Sequence, residues 1–123
     1  MGLVDRRGFG DEAESAAVRH LESQGYRVLD RNYLCRQGEL DIVAEQGELL
    51  CFVEVRMRST AAWGDPSHTV SGAKQRRVVK AALRYLFERR VHDRAIRFDV
   101  ISVLGRGPKA KVEHIPNAFD AGM

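Results

Sequence analysis

Cysteine and unbroken apolar sequence are both scarce in this 123-residue chain. The two cysteines, Cys35 and Cys51, have no Cys-x-x-Cys spacing, and the four histidines are scattered, so neither a disulfide framework nor a zinc-finger arrangement is expected. Both thiols read as reduced, in a cytoplasmic protein. No apolar run reaches the roughly 18 residues needed to span a bilayer, and the opening Met1-Gly2-Leu3-Val4-Asp5-Arg6-Arg7 lacks the apolar segment of an export signal. Membrane insertion and export are therefore not expected. Repeats, linkers and low-complexity stretches are absent as well. What remains is one domain, residues 1–123, long enough to bury about two-thirds of its unfolded surface without disulfides or a structural metal. The net charge of +3 and pI near 9.1 permit a polyanionic partner without requiring one.

The pattern along the chain predicts an α/β order. Residues 11–24 read as a helix with Asp11 as N-cap, acids in the first turn and Gly25 at the C-terminal cap. On a wheel of 100° per residue Ala17, Val18 and Leu21 form an apolar arc, and Glu14 falls inside it. Residues 26–31 read as a strand, 32–38 as a link, and 38–56 as a hairpin turning at Gln46-Gly47. Residues 57–69, with Gly64, Pro66 and the only tryptophan, Trp63, read as a functional loop. A second helix over about 70–90 carries Val78, Ala81, Ala82, Tyr85 and Leu86 on one face and Arg77, Lys80, Arg84 and Glu88 on another, with Lys74 on the apolar side. Residues 97–103 and 111–115 read as further strands around a turn at Gly105-Arg106-Gly107-Pro108.

The hairpin carries the chemistry. With a Gln46-Gly47 turn, Asp41 faces Phe52 and Glu54 faces Glu39, so Asp41 and Glu54 are diagonal neighbours on one face, roughly 7–8 Å apart along the backbone. Two short acids at that spacing converge on a divalent cation and repel without one. Arg56, two residues beyond Glu54, points to the same face. A charge on the wet face of a half-buried strand is ordinary. However, Leu49, Leu50, Cys51, Phe52, Val53 and Val55 make this strand apolar on both faces, which marks the centre of a sheet, where a carboxylate needs a partner. Glu14 has the simpler reading of an acid paired with a nearby arginine, Lys74 and the basic stripe that of a solvated helix face, and Asp99 that of an ion pair beside Arg97.

The strings Gly38-Glu39-Leu40-Asp41-Ile42-Val43-Ala44 and Phe52-Val53-Glu54-Val55-Arg56-Met57-Arg58, with Lys74 and 81–86, resemble uncharacterised protein family 0102, the YraN-like family, over almost the whole chain. That family is similar to the PD-(D/E)xK nucleases and the archaeal Holliday-junction resolvases. The resemblance implies a restriction-endonuclease-like core, a central mixed sheet of about five strands flanked by helices in the order α-β-β-β-α-β-β. It implies Mg²⁺ or Mn²⁺ held by Asp41, Glu54, the main chain of Val55 and Glu14, with Asp41, Glu54, Arg56 and Lys74 as the catalytic set. Arg58, Arg76, Arg77, Lys80 and Arg84 would contact nucleic-acid phosphates, and a homodimer is the usual assembly of resolvase-like proteins. The function so implied is Mg²⁺-dependent hydrolysis of phosphodiesters in structured or branched DNA. One departure stands out: Arg56 occupies the lysine slot, and a guanidinium of pKa above about 12 cannot act as a base. The alternative is accordingly a nucleic-acid-binding module of the same fold with weak or lost catalysis.

Overall fold

The structure, a computed structural model, describes residues 2–58 and 70–121, with side chains from residue 11 onward. The elements run α1 (Gly2–Ser23), β1 (Arg27–Cys35), β2 (Gly38–Gln46), β3 (Leu49–Arg58), α2 (Gly72–Glu88), β4 (Ala95–Leu104), a 3₁₀ turn (Gly107–Lys109) and β5 (Lys111–Phe119). The five strands form one mixed sheet in the order β1-β2-β3-β4-β5. Only β3 and β4 are parallel; the other neighbours are antiparallel. A parallel pair needs a crossover, and α2 lies in the connection between β3 and β4.

Each face of the sheet has its own core. Ala13, Ala16, Ala17 and Leu21 of α1 pack with Ile42, Ala44, Cys51, Val53, Ile101 and Val103. On the other side Val78, Ala81, Ala82 and Tyr85 of α2 pack with Leu40, Val43, Leu50, Phe52 and Phe98. This second core is knitted by aromatic rings: Tyr33 on Tyr85, Tyr85 on Phe52, Phe52 on Phe98 and Phe98 on Phe119, with centroids 5.1–5.9 Å apart. As the continuous apolar sequence of β3 predicts, that strand is central, and Leu50 through Glu54 are buried.

Several boundaries differ from the sequence expectation. Helix α1 begins at Gly2, so Asp11 lies within it rather than capping it, while its end follows expectation, with N–H groups of Gly25 and Tyr26 bonded to the carbonyls of Glu22 and Leu21. Strand β1 continues to Cys35 through residues expected to be a link, and β5 continues to Phe119. Strand β3 takes in Met57 and Arg58, expected from the sequence to open the loop, and residues 59–69 of that segment, with Trp63, lie outside the described residues.

The hairpin register is also corrected. Gln46 pairs with Leu49 and Ile42 with Val53, so the turn is Gly47-Glu48. Primed two-residue turns need positive φ at their first central residue, which would strain Gln46 but suits Gly47, at φ 59°. At the other end of β2, Gly38 is fixed by contact: a Cβ there would stand 3.3 Å from the main-chain oxygen of Arg77 on α2.

Helix α2 starts on Ser71, whose Oγ accepts the N–H of Lys74 at 3.2 Å, and ends through Arg90, held at φ 54° with its N–H on the carbonyl of Phe87. Arg90 is exposed and takes the conformation a glycine adopts without strain. Arg90→Gly is expected to raise stability by about 1 kcal/mol, seen as a rise of roughly 3–6 °C in the thermal midpoint. An unchanged or lower midpoint would show that this helix end carries no such strain.

Candidate metal and anion site

The corrected register brings Asp41 and Glu54 closer than the sequence suggested. The last β2–β3 pair is Ile42 with Val53, and one step further Asp41 and Glu54 stand opposite each other where the ladder stops. In place of a ladder bond, the Val55 N–H donates to Oδ2 of Asp41 at 2.9 Å. Val55 thus enters the site through its N–H. Leu40 and Val43 both join the α2-side core while Ile42 joins the other, so the alternation of β2 breaks around Asp41.

The Glu54 side chain is 1% exposed. Its Oε1 lies 3.6 Å from Nζ of Lys74, in the first turn of α2, and its Oε2 is buried with no hydrogen-bond partner among the described residues. Burial, then the charge of Asp41, pushes the Glu54 carboxyl up to about 8, against the pull of Lys74. Burial also raises Asp41, partly offset by the Val55 N–H and Lys74. Arg56 follows on the same side of β3, partly buried, and has no ion-pair partner among the described residues.

Glu14 approaches from α1. Its side chain is 8% exposed, and Oε1 accepts Nε of Arg31 and Nδ2 of Asn32, each at 2.9 Å. Burial raises its pKa in spite of Arg31, and the charge of Asp41 adds to the rise, so the two acids are electrostatic neighbours. Nevertheless, among the described residues no three of His, Cys, Asp and Glu stand close enough to hold a metal by themselves. The converging set is Asp41, Glu54 and Lys74, with Glu14 beside it on an arginine and an asparagine.

The donor chemistry suits a hard cation. Mg²⁺ is commonly bound by one or two carboxylates, with waters and phosphate oxygens completing the shell, and an orphaned carboxylate oxygen is a buried group in want of a positive partner. Asp99 provides an internal contrast. It is equally buried on β4, but takes two bonds from Arg97 at 2.7 and 2.8 Å, the His114 ring at 2.7 Å and the Asn117 N–H at 3.0 Å. Burial alone would raise its pKa, but those partners outweigh burial and lower it. Asp99 is a satisfied structural acid, and Glu54 is not.

The basic residues do not form one surface. Arg58 turns toward Glu113 on β5, at 3.9 Å, and Arg84 is paired with Glu88 at 2.9 Å. Arg77 lies against Gly38, while Arg76 and Lys80 fall on the solvent side of α2, away from its buried face. A cavity of about 840 Å³ between α1 and the 105–110 turn, floored by Ala13, Ala16, Val103 and Ala110, includes none of the acids of the converging set. Sequence reasoning missed Arg31 and Asn32 because the boundary between the expected strand, 26–31, and the expected link, 32–38, falls between them.

The class so defined is an α/β protein with a five-stranded mixed sheet, a helix packed on each face, and an under-bonded acidic pair where two central strands part. The chain belongs to Uncharacterised protein family UPF0102, whose family model matches residues 13–103 and so spans Glu14, Asp41, Glu54, Arg56 and Lys74. It is 70% identical over 120 residues to a UPF0102 protein of Myxococcus xanthus, covering 98% of this chain and 95% of that one. It is 46% identical over 117 residues to one from Geobacter metallireducens, at 95% and 96% coverage. With one from Anaeromyxobacter dehalogenans it shares 45% identity over 115 residues, at 94% and 86% coverage.

The raised carboxyl of Glu54 has a consequence for stability. In the unfolded chain it gives up its proton near pH 4.5, whereas in the metal-free folded protein it keeps it until about pH 8, so the folded state binds more protons across that window. Stability should therefore fall as pH rises from about 4.5 to 8. Urea unfolding across this range should show the decline, and Glu54→Gln should reduce it; equal pH slopes in both proteins would contradict the assignment.

Proposed function

We propose that this protein is a Mg²⁺- or Mn²⁺-dependent endonuclease-like protein of the restriction-endonuclease-like fold, acting on phosphodiesters in structured or branched DNA. The observation that carries the reading is the buried, unpartnered Oε2 of Glu54 opposite Asp41. Asp41 and Glu54 would hold the cation, with Glu14 as the adjoining third acid. When bound, that cation would lower the pKa of a water and polarise a phosphate oxygen. The element order, with Asp on β2 and Glu-x-Arg on β3, supports kinship with the PD-(D/E)xK nucleases.

The chain's own residues have distinct parts. Lys74 lies 3.6 Å from Oε1 of Glu54, and a cation on Glu54 would free its ammonium for phosphate. Arg56 supplies fixed positive charge and hydrogen-bond donors to a phosphate whose charge grows in the transition state, without taking a proton. Arg76, Arg77 and Lys80 are exposed cations for flanking phosphates, giving salt-dependent affinity with little sequence information. Arg56 also favours a second reading, in which the site binds cation and nucleic acid but cuts slowly or not at all.

A cleavage panel of branched, single-stranded and duplex DNA with Mg²⁺ and Mn²⁺ tests both readings. Arg56→Lys should raise the cleavage rate about a hundredfold or more, the lower range of a general-base contribution, while Asp41→Ala and Glu54→Ala abolish cation binding and cutting. Calorimetric Mn²⁺ binding unchanged in those two alanine variants would remove the nuclease reading. Cation binding without cutting, even in Arg56→Lys, would select the second.

A further inference from the structure

A regular strand sends neighbouring side chains to opposite faces, yet Arg31 and Asn32 both reach Glu14 on the α1 side. The backbone explains this. Asn32 sits at φ 53°, in the left-handed region, between the paired positions Arg31↔Ile42 and Tyr33↔Leu40, which places it across from Asp41. The same kink returns Tyr33 to the α2 side, where its ring meets Tyr85 at 5.2 Å. Both donors take Oε1 of Glu14, and among the described residues no side chain donates to Oε2. Arg31 is further fixed by its bond to Ser15 Oγ at 3.3 Å.

We infer that Asn32 is a positioning residue for the acidic site: its left-handed backbone aims the amide at Oε1 of Glu14 and holds that carboxylate beside Asp41 with its second oxygen available to a divalent cation. Asparagine suits both demands, tolerating the left-handed region better than most residues and carrying an N–H donor on a short stem. Arg31 holds the same oxygen through a side chain that is 41% exposed. Asn32 adds a second, shorter-stemmed hold on that oxygen. The inference rests on the proposal that Asp41 and Glu54 hold a cation.

Glycine separates the two jobs of Asn32, because it keeps the left-handed backbone and removes the amide. The experiment is calorimetric titration of Mn²⁺ into wild type, Asn32→Gly, Glu14→Gln and the double variant, with thermal midpoints in parallel. Asn32→Gly should melt close to wild type and bind Mn²⁺ about tenfold more weakly, as loss of an outer partner of a metal ligand does. The double variant should bind no more weakly than Glu14→Gln, since the amide acts through that carboxylate. Wild-type affinity in Asn32→Gly, or additive losses in the double variant, would overturn this inference alone. Absence of Mn²⁺ binding in wild type would overturn it together with the proposed function.

Discussion

A buried carboxylate, Glu54, and a half-buried one, Asp41, stand side by side where β2 and β3 stop pairing, and the surrounding architecture is organised by that constraint. A strand buried on both faces has no water to offer a charged group, so Glu54 must share a proton, take a cation, or remain under strain. The break in the ladder beyond Ile42 and Val53 opens the space, and the Asp41 side chain accepts the Val55 N–H that the ladder leaves behind. Lys74 arrives because Ser71 starts α2 one turn earlier, and its ammonium is the counterion nearest to Glu54.

The fold bears this unfavourable arrangement because the rest of the sheet is conventional and well bonded. Aromatic contacts running from Tyr33 on β1 through Tyr85, Phe52 and Phe98 to Phe119 on β5 tie the α2-side core together, and small residues on α1 allow it to lie close against the opposite face. Asp99 shows what the same sheet does with an acid it needs only for structure: four hydrogen bonds from three residues surround it. The difference between the two acids separates a structural acid from a candidate site more sharply than does the cavity between α1 and the 105–110 turn.

Much of this was legible in the sequence, for identifiable reasons. The unbroken apolar run from Leu49 to Val53 announced a central strand, the i, i+3, i+4 pattern from Val78 to Tyr85 announced α2, and the apolar arc around Ala17 turned Glu14 inward. The register was misread by one turn position because Gly47 can be either residue of a two-residue loop, and only the cost of positive φ at Gln46 decides. Arg31 and Asn32 were passed over because a left-handed residue inside a strand destroys the alternation by which strands are recognised. The basic residues expected to meet phosphates looked like one set because sequence spacing, which placed Glu88 beside Arg84 on the helix face, does not show that β5 brings Glu113 to Arg58.

The central claim is that Glu54 is held in an apolar strand in order to meet a divalent cation. Thermal unfolding at pH 8, with and without Mn²⁺, tests it most directly. The account predicts that Mn²⁺ stabilises the wild-type protein progressively, by roughly 2.7 kcal/mol at a hundredfold excess over Kd, and leaves Glu54→Gln unmoved. Equal responses of the two proteins, or none from wild type, would contradict it.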